Sequence, residues 1–116
     1  MNPTPINYIE LPANDFDLVE AFYRGAFGWT FTDYGSEYRA FSDGQREGGF
    51  FKSTLRSRTE QGAALVVLLT KNLEGTQERI VAHGGTICRP IFSFPGGRRF
   101  HFLDPHGNEL AVWSDG

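Results

Sequence analysis

Few side chains in this sequence could do chemistry, and their spacing limits what that chemistry is. There are three histidines, His83, His101 and His106, and a single cysteine, Cys88. One thiol excludes an internal disulfide scaffold and a thiolate zinc site. Cys88 sits in a β-rich run with no activating base marked beside it, so it reads as a small buried hydrophobe. Glu10, Glu47 and Glu109 place carboxylates in or beside strand-like runs. If Glu10 and Glu109 met, their repulsion would raise one pKa and let the pair act as acid and base. The plainer expectation is that each is a strand-end carboxylate, solvated or paired with an arginine such as Arg39 or Arg98. His106 lies in a turn and is expected to be solvent-exposed. His83 ends a helix, where positive charge suits the dipole. His101 lies between Phe100 and Phe102 and could face either way. Arg98-Arg99 is the one basic spot, and it reads as a solvated hairpin strand rather than an anion site.

The elements that must position these groups follow from hydrophobic period and punctuation. Ile6 to Leu11 reads as a first strand stopped by Pro12. Asn14 or Asp15 can cap a helix whose stripe is Val19, Phe22, Tyr23, Ala26 and Phe27, closed by Gly28. Strand-like runs follow at Trp29 to Tyr34, Tyr38 to Ser42 and Gly48 to Lys52, the last two joined by an Asp43-Gly44 turn. Thr54 to Gly62 is polar and has no period, so it reads as a linker. Ala64 to Thr70 is a nearly continuous apolar strand, which implies burial on both faces. Asn72 can cap a second helix carrying Leu73, Ile80 and Val81 on one side, ended by Gly84-Gly85. Thr86 to Phe94, Arg98 to Leu103 and Asn108 to Ser114 complete the strands, with turns at Pro95-Gly96-Gly97 and Asp104-Pro105-His106-Gly107.

The order is therefore βαβββ, linker, βαβββ. The halves span about 5–53 and 63–115, joined by 54–62, within one domain of 116 residues. Composition agrees with a globular chain: 40% hydrophobic, 22% charged and 15% aromatic, with a net charge of −3. This balance argues against nucleic-acid and anionic-membrane partners. No segment has the length and apolarity of a membrane span or a signal peptide, so the expected location is the cytoplasm. The aromatic excess points to a lined pocket or a subunit interface.

Three groups of residues carry a family resemblance. The first is Tyr8-Ile9-Glu10-Leu11-Pro12-Ala13-Asn14-Asp15, followed by Ala21-Phe22-Tyr23 and Phe27-Gly28-Trp29. The others are Gly84-Gly85 and the closing Asp104-Pro105-His106-Gly107-Asn108-Glu109-Leu110. In this register they resemble the vicinal oxygen chelate proteins (glyoxalase, bleomycin-resistance and dioxygenase-like), over essentially the whole chain. The resemblance implies an α+β fold in which two βαβββ modules form cupped sheets around a cleft. It also implies a homodimer that completes its sites across the subunit interface. In metal-dependent members, His, Glu or Gln side chains from the strands converge in the cleft.

The resemblance puts those ligand positions at Tyr8, at Gly49 or Phe51, at Leu65 and at Ala111. Leu65, Ala111, Gly49 and Phe51 have no donor, and Tyr normally stays protonated at neutral pH. Glu47 has the right parity but comes one or two steps early. The usual metal site is therefore expected to be vacated, with no cofactor. The expected function is binding of a hydrophobic or aromatic small molecule. Its cleft would be lined from Tyr8, Glu10, Phe51, Leu65, Val67, His101, Glu109, Ala111 and Trp113. The alternatives are a lyase, isomerase or dioxygenase with a relocated metal, a metal-independent enzyme using Tyr8 or a carboxylate, and a regulatory module without a ligand.

Overall fold

Cap chemistry sets both helices in the computed structural model, which describes residues 2–116. Helix α1 spans Phe16–Phe27. The Asp15 carboxylate accepts the Leu18 N–H at 3.1 Å, and Gly28 closes the helix in the left-handed conformation with φ 72°. Helix α2 spans Leu73–Ala82, where Asn72 accepts the Gly75 N–H at 3.0 Å. Each cap satisfies an amide that has no partner within the helix. The buried stripe of α2 is Leu73, Thr76 and Ile80. Val81 was expected beside them but is exposed.

The first half contributes β1 (Tyr8–Ala13), β2 (Thr30–Asp33), β3 (Tyr38–Ser42) and β4 (Glu47–Lys52). The second contributes β5 (Val66–Leu69), β6 (Thr86–Phe94), β7 (Gly97–Leu103) and β8 (Glu109–Ser114). They form two four-stranded sheets, ordered β1-β4-β3-β2 and β5-β8-β7-β6. In each half the first strand lies parallel to the last, and the other pairs are antiparallel. The duplicated element order is thus a duplicated topology, and the fold is the expected α+β pair of βαβββ modules.

Three local expectations are corrected. Pro12 does not stop β1 but lies inside it, because β1 is an edge strand where a missing N–H costs no ladder bond. The run Ala64 to Thr70 is paired only over Val66–Leu69 and is not buried on both sides. Val66 and Leu68 pack toward the core, while Val67 and Leu69 are 42% and 68% exposed. The 54–62 linker is not featureless, since Thr59–Gln61 makes a single 3-10 turn.

One core serves both modules. Phe22 of α1 meets Phe102 of β7 at 6.0 Å between centroids, and Tyr23 meets Phe50 of β4 at 5.5 Å. The Asp104 turn locks this junction. Its carboxylate accepts the Tyr23 hydroxyl (2.8 Å), the Asn108 side-chain amide (3.1 Å) and the backbone N–H groups of His106, Gly107 and Asn108. The Asn108 amide also donates to the Pro12 carbonyl at 2.8 Å. The closing motif is therefore a structural joint between the halves, with Asp104 and Asn108 both buried.

Candidate functional site

Strand alternation sends Ile9, Leu11 and Ala13 to the core and leaves Tyr8 and Glu10 on the opposite face of sheet one. Register puts Glu10 beside Gly49, and Gly49 beside Ala40. Phe51 lies on that face too, paired with Tyr38 and 38% exposed. The Tyr38 hydroxyl donates to Glu10 Oε2 at 2.8 Å and lies 2.7 Å from the Tyr8 hydroxyl. Tyr38 gives its proton to the carboxylate, so Tyr8 donates to Tyr38. Burial, together with Tyr8 and the Glu10 carboxylate, pushes the Tyr38 phenol well above its ordinary range, so it is a hydrogen-bond donor and not a base.

This network already engages the polar side chains of Tyr8, Glu10 and Tyr38 with one another. A Cβ on Gly49 would fall 2.0 Å from the Tyr38 hydroxyl, so the glycine is what lets the phenol lie across β4. Tyr8, the only donor at the four positions that the sequence resemblance marks for ligands, is already bonded to Tyr38. Leu65 lies half-buried in the loop just before β5, and Ala111 is fully buried. The residues present do not fit a divalent ion, which needs several converging N or O ligands. Among the described residues, no three His, Cys, Asp or Glu side chains cluster so as to hold a metal ion.

The second open face belongs to sheet two. Register aligns Val67, Ala111 and His101 across β5, β8 and β7, with Trp113 beside Leu69 and Arg99. Glu109 shares this face. His101 is 5% exposed, and its Nδ1 lies 2.8 Å from Glu109 Oε2. The other Glu109 oxygen accepts the N–H (3.0 Å) and hydroxyl (2.8 Å) of Thr59, with Arg58 Nε at 3.9 Å. Burial alone would raise the Glu109 carboxyl, but the His101 and Thr59 hydrogen bonds outweigh it and hold it at about 2. His101 Nε2 is buried with no hydrogen-bond partner among the described residues.

Of the nine candidate residues, Tyr8, Glu10 and Phe51 share one face of sheet one. Val67, His101, Glu109, Ala111 and Trp113 share one face of sheet two, where His101, Glu109 and Ala111 are buried. Leu65 lies in the loop before β5. The structure does not bring Glu10 and Glu109 together. They belong to different sheets and take different donors. Nor does either pair with the arginines considered: Arg39 pairs with Asp17 and Glu20, and Arg98 with Glu74. His106 is not free in solvent but ties two loops, accepting the Asn14 N–H at Nδ1 (3.3 Å) and bonding the Leu55 carbonyl through Nε2 (2.7 Å). Cys88 is exposed, not buried. Partial desolvation of the sulfur, with the charge of Glu109, still pushes its thiol up, away from nucleophilic chemistry. Sequence reasoning missed Tyr38, Arg58 and Thr59, which reach their sites from another strand and from the linker.

Residues 5–112 match the model of the Glyoxalase/Bleomycin resistance protein/Dioxygenase superfamily, and the chain belongs to that family. A glyoxalase-related enzyme from Fulvimarina pelagi is similar in structure, with TM-score 0.75 and 20% identity over 97% of this chain and 88% of that one. Lactoylglutathione lyase from Agrobacterium tumefaciens gives TM-score 0.74 and 22% identity, over 97% and 95%. A glyoxalase/bleomycin resistance protein/dioxygenase family enzyme from Burkholderia phytofirmans PsJN gives 0.77 and 16%, over 95% and 98%. At these identities the likeness is one of fold. Comparison with curated proteins gives no match. No helix among the described residues is long and apolar enough to cross a membrane.

Proposed function

We propose that the protein binds a hydrophobic or aromatic small molecule without a metal ion, in a cleft made by two protomers. The observation that carries this reading is the occupancy of the four positions that the sequence resemblance marks for ligands. Tyr8 is bonded to Tyr38, Gly49 lies under that phenol with Phe51 next along the face, and Leu65 and Ala111 have no donor. What remains on the open faces suits a planar apolar body: Tyr8 and Phe51 on one sheet, Val67 and Trp113 on the other. The dimer is supported by the exposure of Tyr8, Phe51, Val67 and Leu69, large apolar side chains that a partner sheet would cover.

The test is elemental analysis of purified protein before and after incubation with zinc, nickel, manganese and ferrous iron. Less than one-tenth of an ion per subunit is the expected result. An ion retained near one per subunit would overturn the metal-free reading. In parallel, 8-anilinonaphthalene-1-sulfonate should quench tryptophan emission saturably, with weaker binding of the dye in Trp113→Ala.

A further inference from the structure

His101 carries a feature that packing does not explain. The imidazole is 5% exposed and held from one side, yet its Nε2 has no partner. Glu109 is an acceptor only, with its carboxyl held at about 2, so His101 Nδ1 must carry the hydrogen between them. In the neutral ring this fixes Nε2 as a bare acceptor. Glu109 cannot turn away, because Thr59 holds its second oxygen with two hydrogen bonds. With the ring neutral, the dyad is a rigid acceptor backed by a carboxylate.

His101 and Glu109 line a cavity of about 250 Å3 with Arg58, Thr59, Glu60, Cys88 and Arg89. Arg89 has no ion-pair partner among the described residues, and its guanidinium rests over the Phe92 ring at 3.9 Å. Arg58 has two loose ion contacts, with Glu60 at 3.7 Å and with Glu109 at 3.9 Å, and an Nε without a hydrogen bond. Glu60 and Glu109 add two negative charges, but the Glu109 oxygens are already taken by His101 and Thr59 and Glu60 touches Arg58 only at 3.7 Å. Two under-used guanidiniums beside a buried acceptor define a complementary ligand. Guanidiniums recognise oxyanions, and a bare imidazole nitrogen recognises a donated hydrogen.

We propose that this cavity is a subsite for an oxyanion that carries its own hydroxyl, with the anionic oxygens on Arg58 and Arg89 and the hydroxyl donating to His101 Nε2, a nitrogen that neighbouring side chains cover and that ligand entry must expose. Two small-molecule head groups share that chemistry: a protonated phosphate and a 2-hydroxycarboxylate. Sulfate and acetate have the charge without the hydroxyl. The subsite rests on the small-molecule reading above but on neither the dimer nor the aromatic contact, and it adds a polar anchor at one end of the apolar face.

The experiment is a titration at pH 7.5 of full-length, 15N-labelled protein, followed through the His101 ring nitrogens and assigned with His101→Phe. Inorganic phosphate and glycolate are the probes, with sulfate and acetate as matched controls. At least one probe should move the Nε2 resonance saturably and bind ten-fold or more tightly than its control. Whichever probe does so identifies the head group. Arg58→Gln and Arg89→Gln should each weaken that probe at least three-fold, with backbone amide spectra otherwise unchanged. Failure of both probes, equal binding of sulfate or acetate, or indifference to both arginine substitutions would overturn the subsite. The metal and anilinonaphthalene sulfonate measurements are separate, so failure of the wider reading registers there and not in this titration.

Discussion

Asp104 and Glu109 lie five positions apart, and their surroundings give them different work. Asp104 accepts five hydrogen bonds and holds α1 of one half to the closing hairpin of the other. Removing that carboxylate strands several buried donors, each costing about 1–3 kcal/mol. Asp104→Ala should therefore lower stability by at least about 3 kcal/mol, whereas Tyr23→Phe, which deletes one donor, should cost about 1–2 kcal/mol. Urea denaturation of both variants checks the order. Glu109 predicts a pH effect. Its carboxyl is held at about 2 against an ordinary 4.5, so the folded state favours the ionised form. That contribution is complete above about pH 4.5 and is lost as pH falls toward 2. Glu109→Gln should be less stable than the parent at pH 7, and the gap should narrow steadily between pH 5 and pH 2. A gap that stays constant over this window would show that the His101 and Thr59 bonds do not stabilise the ionised carboxylate.

At the scale of elements, neighbouring glycines of β4 make opposite predictions because they face opposite ways. A Cβ on Gly48 would meet the Ile9 backbone carbonyl at 2.3 Å and the Phe41 ring at 2.4 Å. A backbone carbonyl cannot rotate away, so Gly48→Ala must push β1 from β4. It should cost about 1–3 kcal/mol or more, with hydrogen-exchange protection lost along β1. Gly49→Ala first meets the Tyr38 phenol, the far end of a side chain that can swing out toward solvent. It should leave the fold intact, break the Tyr38 bonds to Glu10 and Tyr8, and change small-molecule binding more than stability. Such contrasts mark the limit of reading elements from sequence. Asp15, Asn72 and Gly28 were legible because a cap is local chemistry within a few residues. Pro12 was misread because only the sheet order shows that β1 is an edge strand. Tyr38, Arg58 and Thr59 were invisible because their partners lie 28, 51 and 50 positions away and no periodicity encodes a meeting at that range. The candidate positions on the open faces were legible from parity, but not what closes over them.

At the scale of the whole molecule, the misreading of β5 is itself informative. Valine and leucine at Val66 to Leu69 form an unbroken apolar run, which ordinarily means cover on both sides. This chain supplies cover on one side only, leaving Val67 and Leu69 exposed on the same sheet face as Trp113, while Tyr8 and Phe51 are exposed on the other sheet. A second protomer that placed its sheet one over this sheet two would complete the pattern. It would also bring Tyr8 and Phe51 near Trp113, and so assemble from two chains the cleft that one chain leaves open. A stable interface of this kind buries about 1,200–2,000 Å2 in total and tolerates unpaired charge at its centre poorly. The double substitution Val67→Asp and Leu69→Asp should therefore convert a dimer to a monomer in sedimentation velocity. Its circular dichroism should stay native, because both side chains already point away from the core. Quenching of tryptophan emission by 8-anilinonaphthalene-1-sulfonate should weaken with the loss of the partner sheet. The oxyanion response at His101 should persist, because every residue proposed for that subsite comes from one chain. A parent protein that sediments as a monomer would remove the shared cleft and leave the His101 cavity as the binding site to pursue.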